Sequence, residues 1–317
     1  MNPQPTSFGP LPIGQALVLG GAGFIGSNLV RALVAAGHSP RVLGRPSRSL
    51  SSLASVRDQI DWRPGDFMDD AALRDTLRGA DTVFHLITTT FPNMRVESSN
   101  FDLLSNLLPT IRMLELAREL GVRRVVYASS GGTVYGEPQQ LPITEDHPLA
   151  PKSAYGQSKL TIENYMRFYG RTTPLQVSVL RMSNPYGPGQ NTLGVQGLIG
   201  VAMGCLRDGR PISVFGDGSA VRDYVYVDDA VNAMLRAAAH PPSLVNVSSG
   251  QGHSIQQVLA AVERASGRSL TRVQIPARNA DVRANVLDNA LAAKLIGWVP
   301  KVGLGEGLAR TWAGLMA

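Results

Sequence analysis

Ala16-Leu17-Val18-Leu19-Gly20-Gly21-Ala22-Gly23-Phe24-Ile25-Gly26 is the stretch on which the reading of this chain turns. A short apolar strand runs into glycines spaced three apart, and a helical pattern over residues 24–36 follows, stopped by Gly37. Gly20, Gly23 and Gly26 let the backbone turn tightly and approach a ligand, while the free N–H groups and positive dipole end of the helix favour a phosphate. Placed after a strand and before a helix, this G-x-x-G-x-x-G turn predicts a dinucleotide site made by Gly20, Gly23, Phe24, Ile25 and Gly26. The alternative is a tight strand-to-helix turn without a ligand.

Outward from this turn, short β-branched runs at 41–43, 60–63, 82–86, 124–128 and 176–181 alternate with helical stretches, one closed by Gly121 and one over 153–169. That alternation predicts an α/β fold, a doubly wound parallel sheet of Rossmann type. Beyond Asn184 the chain is rich in glycine and turns before a last recognisable strand, Leu244–Val247. The dinucleotide-binding domain is therefore expected over 15–183 plus about 224–248. Residues 184–223 plus about 249–317 are expected to form a smaller, discontinuous C-terminal lobe over the carboxyl ends of the strands, the usual place for a ligand crevice. Residues 1–14 carry Pro3, Pro5, Pro10 and Pro12 and no periodic pattern, which predicts a mobile tail.

Composition narrows the classes. With 317 residues, 44% hydrophobic and 17% charged, the chain can bury a large core and is not disordered. The single cysteine, Cys205, excludes an intrachain disulfide, and no two of the 5 histidines have metal-ligand spacing, so no metal site is expected. The net charge of +6 is spread over scattered arginines with no polybasic run, which argues against nucleic acid as a partner. No apolar run approaches the roughly 18 residues of a membrane span, and the N-terminus lacks the features of a signal peptide. A cytoplasmic protein without membrane partners is the expectation.

An acidic residue at the end of the second strand would bind a free ribose 2′-hydroxyl, but that end reads Val42-Leu43-Gly44-Arg45, with Arg48 close behind. Arg45 suits a 2′-phosphate and makes NADP credible, unless it lies over the adenine or in solvent. Asp66, after the third strand, can accept from the adenine amino group or serve as a turn aspartate. Tyr155-Gly156-Gln157-Ser158-Lys159 puts a phenol and an ammonium on one helical face, where the ammonium favours the phenolate for general base work. A hydroxyl-bearing segment, Ser129-Ser130-Gly131-Gly132-Thr133-Val134-Tyr135, follows the fifth strand.

These motifs, together with Asn106, Arg181-Met182-Ser183-Asn184-Pro185-Tyr186-Gly187, Phe215-Gly216-Asp217-Gly218, Arg222-Asp223-Tyr224 and Arg278-Asn279-Ala280-Asp281, resemble the extended short-chain dehydrogenase/reductases over residues 16–308. Within that group the chain is similar to the NAD-dependent epimerase/dehydratase family typified by UDP-glucose 4-epimerases. The resemblance implies Tyr155 as base, Lys159 as its partner, and further cofactor contacts at Phe67, Leu86 and Asn106. It implies a nucleotide-sugar substrate held by Asn184, Arg222 and Arg278, the cofactor NAD, and a homodimer formed through the helices carrying Asn106 and Tyr155. The position that commonly bears the catalytic serine or threonine is Gly131, so Thr133 is the first candidate for the missing hydroxyl and Ser130 the second. The acidic pair of the dehydratase branch is replaced by Gly131-Gly132-Thr133. Asn285 stands where the family gates bulk at the sugar's C2, which leaves room for a hexose or an N-acetylhexosamine. Epimerisation at C4 of a UDP-sugar through a 4-keto intermediate is the implied reaction. The alternatives are an NADP-dependent NDP-4-keto-sugar reductase and a non-catalytic dinucleotide sensor.

Overall fold

The computed structural model describes residues 12–47, 49–91, 99–194, 196–277 and 282–316. Strands are β1 (Ala16–Leu19), β2 (Arg41–Gly44), β3 (Asp61–Pro64), β4 (Thr82–His85), β5 (Arg124–Ser130), β6 (Gln176–Met182), β7 (Asn184–Tyr186), β8 (Ile212–Phe215), β9 (Val221–Tyr226), β10 (Leu244–Val247), β11 (Gly252–Ser254), β12 (Arg272–Ile275) and β13 (Ala284–Asn285). Helices are α1 (Phe24–Ala35), α2 (Asp70–Leu77), α3 (Ser99–Asp102), α4 (Leu108–Glu119), α5 (Ala154–Thr172), α6 (Leu198–Asp208), α7 (Val227–Ala239), α8 (Ile255–Ser266), α9 (Ala290–Ile296) and α10 (Leu304–Met316).

The main sheet runs β3-β2-β1-β4-β5-β6-β10, every pair parallel. β1 shows why it sits in the middle: it is buried on both faces, with Ala16 and Val18 in one core and Leu17 and Leu19 in the other. A period of two with apolar residues at every position requires cover on both sides. α1 and α7 supply it on the first face through Leu29, Leu33 and Met234, and α2, α4 and α5 on the second through Leu73, Met113 and Ile162. β1 lies between β2 and β4, so the chain's direction of winding reverses there and a crevice opens beyond the strands' carboxyl ends.

A third core, with Ile199, Met203, Val258 and Leu308, belongs to the less regular second half. There β9 pairs with β7, β11 and β13, and β8 pairs with β12. The re-entry expected near Tyr224 thus falls within β9, a strand of the small sheet; α7 and β10 carry the chain back into the main one. The expected tail is also shorter at its inner end. Ile13 is fully buried and its carbonyl accepts from Thr82 Oγ1 at 2.7 Å, because an isoleucine beside the first strand has apolar surface to cover. Residues 1–11 lie outside the described residues.

α5 is held to the sheet by charge as well as by apolar contact. Ser153 caps it, accepting from the Gly156 N–H at 3.1 Å. On its inner face Glu163, 1% exposed, meets Arg181 of β6, 2% exposed, at 2.8 Å. Glu163 also accepts from Ser129 Oγ, and Arg181 donates to Tyr135 Oη at 3.0 Å and to the Glu145 carbonyl at 3.2 Å. Tyr135 in turn donates to Asn246 of β10 at 2.7 Å. Removing one member leaves the other charge buried and uncompensated, so Glu163→Ala is expected to cost about 3–5 kcal/mol in chemical denaturation. Glu163→Leu combined with Arg181→Met is expected to recover most of that loss; a single variant as stable as the parent contradicts the account.

Candidate active site

The β1–α1 turn is shaped to let a ligand come close. Gly20 has φ +86°, and a Cβ at Gly26 would stand 2.2 Å from the Gly20 carbonyl oxygen. Gly23 begins α1 with no side-chain cap, and no acidic residue occupies the first turn, where Phe24, Ile25 and Gly26 present backbone N–H groups. These features fit a pyrophosphate, whose charge the uncapped helix end attracts.

The remaining expected cofactor residues line up along the same strand ends. Arg45 is exposed directly after β2, and Gly44 before it is required because a Cβ there would lie 2.3 Å from the Trp62 ring. Asp66 is exposed after β3, with Oδ1 accepting from the Met68 N–H at 3.0 Å, and Phe67 is buried against His85, ring centroids 5.2 Å apart. Leu86 extends β4, its N–H donating to Leu19 at 3.0 Å. Asn106 sits in a π turn, Leu103–Leu107, inside the helix that runs on from α3 to α4; its Oδ1 accepts from the Thr89 N–H at 2.9 Å. Such turns widen a helix to aim a side chain. Arg48 lies outside the described residues.

Tyr155 and Lys159 share the inner face of α5. Lys159 is 6% exposed; its Nζ donates to the Ala128 carbonyl at 2.9 Å and lies 4.8 Å from the Tyr127 ring centroid and 5.7 Å from that of Tyr155. Burial lowers its pKa to about 8, against the pull of the Asp102 and Glu163 carboxylates. Burial also raises the Tyr155 phenol, a hydrogen bond with Ser130 draws it down, and the Asp102 charge raises it. His85 stays neutral: burial and the neighbouring Lys159 take it down to about 3.

Gly131 has a steric explanation. A Cβ there would stand 2.4 Å from Leu287 Cδ1 and 3.0 Å from the Arg181 carbonyl oxygen, while Asn285 Nδ2 donates to the Gly131 carbonyl at 3.1 Å. Ser130, the second candidate, ends β5 and lines the same cavity as Thr133. Thr133, the first candidate, lines a cavity with its buried Oγ1 lacking a hydrogen-bond partner. Asn285 is itself fully buried, a strut beneath Gly131.

That cavity, about 560 Å³, brings together Ser130, Thr133, Asn184 and Arg222 with Tyr224 and Phe215. Asn184 Nδ2 donates to the Asp223 carbonyl at 2.8 Å, which fixes the side chain at the cavity wall. Arg278 lies outside the described residues. Two groups near Lys159 carry no expectation from the sequence, Asp102 and the Glu163–Arg181 pair. The one available signal is spacing: Asp102 precedes Asn106 by one helical turn and Glu163 follows Lys159 by one.

The profile of the NAD dependent epimerase/dehydratase family matches residues 16–248. The chain belongs to this family. A UDP-glucose 4-epimerase of Mycolicibacterium smegmatis is 37% identical over 306 residues, covering 94% of this chain and 97% of that one. Among solved structures, the UDP-glucose 4-epimerase of Thermotoga maritima with UDP-glucose superposes with TM-score 0.90 at 32% identity, over 95% of this chain and 98% of that one. The Thermus thermophilus UDP-glucose 4-epimerase in complex with NAD gives 0.89 at 33% identity, over 96% of this chain and 99% of that one. For this family member, Gly26→Ala is expected to abolish dinucleotide binding, because the added methyl collides with the Gly20 carbonyl. Mass analysis of the small molecules released on denaturation checks this; a variant that retains its dinucleotide contradicts the cradle.

Proposed function

We propose that the chain is a UDP-hexose 4-epimerase that keeps NAD bound between turnovers. The observation that carries this reading is that Ser130, Thr133, Asn184 and Arg222 line one cavity together with Ser153, the cap of the helix whose inner face carries Tyr155 and the buried Lys159. The NAD complex of the Thermus relative and the UDP-glucose complex of the Thermotoga relative support the cofactor and the substrate class.

Bound NAD supplies a reversible hydride acceptor for the sugar's C4. The protein handles the proton: Tyr155, its phenolate favoured by the Lys159 ammonium, takes it from the 4-hydroxyl directly or through Ser130, and later returns it. Thr133 lines the cavity, and a small rotation would bring its unpartnered, buried Oγ1 to a sugar hydroxyl. Arg222, and Arg278 by resemblance, grip the diphosphate with guanidinium groups suited to two-point contacts. Firm anchoring at the diphosphate leaves the 4-keto ring able to turn and accept hydride on its other face, with no net redox change.

The exposed Arg45 and the absence of a carboxylate at the end of β2 favour a second reading, an NADP-dependent keto-sugar reductase. The single cysteine and the nucleotide-sugar substrate support a cytoplasmic setting. Among the described residues no helix is long and apolar enough to cross a membrane. A homodimer is supported by the apolar face that Leu104, Leu108 and Phe168 expose on the adjoining helices around α4 and α5, each at least half exposed. Sedimentation is expected to give a dimer that Phe168→Glu dissociates; a monomeric parent contradicts the pairing.

Purified protein given UDP-glucose with no added dinucleotide is expected to form UDP-galactose and to release NAD on denaturation. Tyr155→Phe is expected to bind UDP-glucose as the parent does while turnover falls roughly 100-fold or more, the loss typical of an absent general base. Dependence on added NADPH, with its consumption, would select the reductase instead.

A further inference from the structure

Asp102 is 2% exposed, at the end of α3 where the π turn begins. Its Oδ1 accepts from Thr90 Oγ1 at 2.5 Å and from Asn106 Nδ2 at 2.6 Å, and its buried Oδ2 has no hydrogen-bond partner. α3 packs against α5, which carries Lys159. An ionised carboxylate so placed is costly unless a cation within its field compensates it, because an unpaired buried charge forfeits its hydration. We propose that Asp102 is the counter-charge that keeps Lys159 protonated beside Tyr155, acting as a positioning residue that sets the pH range in which the pair works.

The other groups around Lys159 do not fill that role. On its own helix Glu163 is bound by Arg181 from β6, so its charge is already matched. Tyr155, also on α5, shares the pair's chemistry. From β5, Tyr127 offers its ring face and a phenol that burial, Tyr155, Glu163 and Asp102 hold in the neutral form. From β4, His85 is neutral and bonded to Thr110 at 2.8 Å. Among the described residues Asp102 is thus the carboxylate acting on Lys159 without a cation of its own. The Asp102 charge favours the ammonium and opposes the phenolate, so it moves both ionisations of the pair to higher pH.

This inference rests on the proposed roles of Tyr155 and Lys159, but its test does not require epimerase activity. The chain has four lysines, and Lys152, Lys294 and Lys301 are exposed. In protein grown on lysine labelled with carbon-13 at the ε position, with its dinucleotide bound, the exposed three serve as internal reference signals. Lys159 should stand apart, at about 8. Asp102→Asn keeps both hydrogen bonds to Oδ1 and removes the charge; it is expected to lower the Lys159 titration by about one pH unit or more. Asp102→Ser, which removes the charge with a smaller side chain, is expected to do the same, and Asp102→Glu to restore the parent value. In turnover of UDP-glucose, both limbs of the pH profile should move to lower pH in the Asn variant, which a purely structural defect would not produce. A Lys159 titration unmoved in folded Asp102→Asn or Asp102→Ser overturns the proposal even if the parent is an active epimerase. A parent without epimerase activity whose Lys159 still moves leaves the counter-charge intact and rejects the function.

Discussion

Holding the Lys159 ammonium out of water is the constraint around which the active half of this molecule is arranged. An ammonium buried to 6% exposure loses hydration worth several kcal/mol and must regain it from fixed dipoles and charges. The Ala128 carbonyl at the end of β5, the faces of Tyr127 and Tyr155, and, in the proposal above, the carboxylate of Asp102 provide that return. They come from a strand, a helix across from it and the helix itself. The charge is therefore tolerable only when sheet and helices are packed together, which makes the site a property of the completed fold.

A second buried hub fixes one wall of the cavity. Asp223 of β9, fully buried, accepts from the Ser249 N–H and hydroxyl, both at 2.8 Å, from the Gly250 N–H at 3.0 Å and from Ser183 Oγ at 3.3 Å. These bonds tie β9 to the segments that follow β6 and β10. Arg222 precedes this carboxylate, and Asn184 bonds its carbonyl, so both cavity residues inherit their positions from one anchor.

Much of the wound sheet is legible in the sequence, because β1 is an unbroken apolar run and β4 and β10 carry Val83-Phe84 and Leu244-Val245 between turns, and Leu244–Val247 is read to the residue. The doubly wound class follows from their alternation with helices. α2 escapes because it is short and half polar, although Asp69 caps it through the Ala71 and Ala72 N–H groups. The strands β7, β8, β9 and β11 to β13 pair across long stretches of chain, which local periodicity does not register. In the site, helical spacing is enough to join Tyr155 to Lys159. It does not show why residue 131 lacks a hydroxyl, since that depends on Leu287 filling the space beside Gly131. Asp102 is equally silent in sequence, because what singles it out is its surroundings, a buried Oδ2 without a hydrogen-bond partner.

The central claim is that hydride leaves and returns to the same carbon within one closed site. Turnover of UDP-glucose carrying deuterium at C4 of the sugar, in ordinary water and without added dinucleotide, tests it most directly. The account predicts UDP-galactose that retains the deuterium at C4. Product from which the label has been lost to water, or whose formation requires an added dinucleotide that carries the label away, would contradict it.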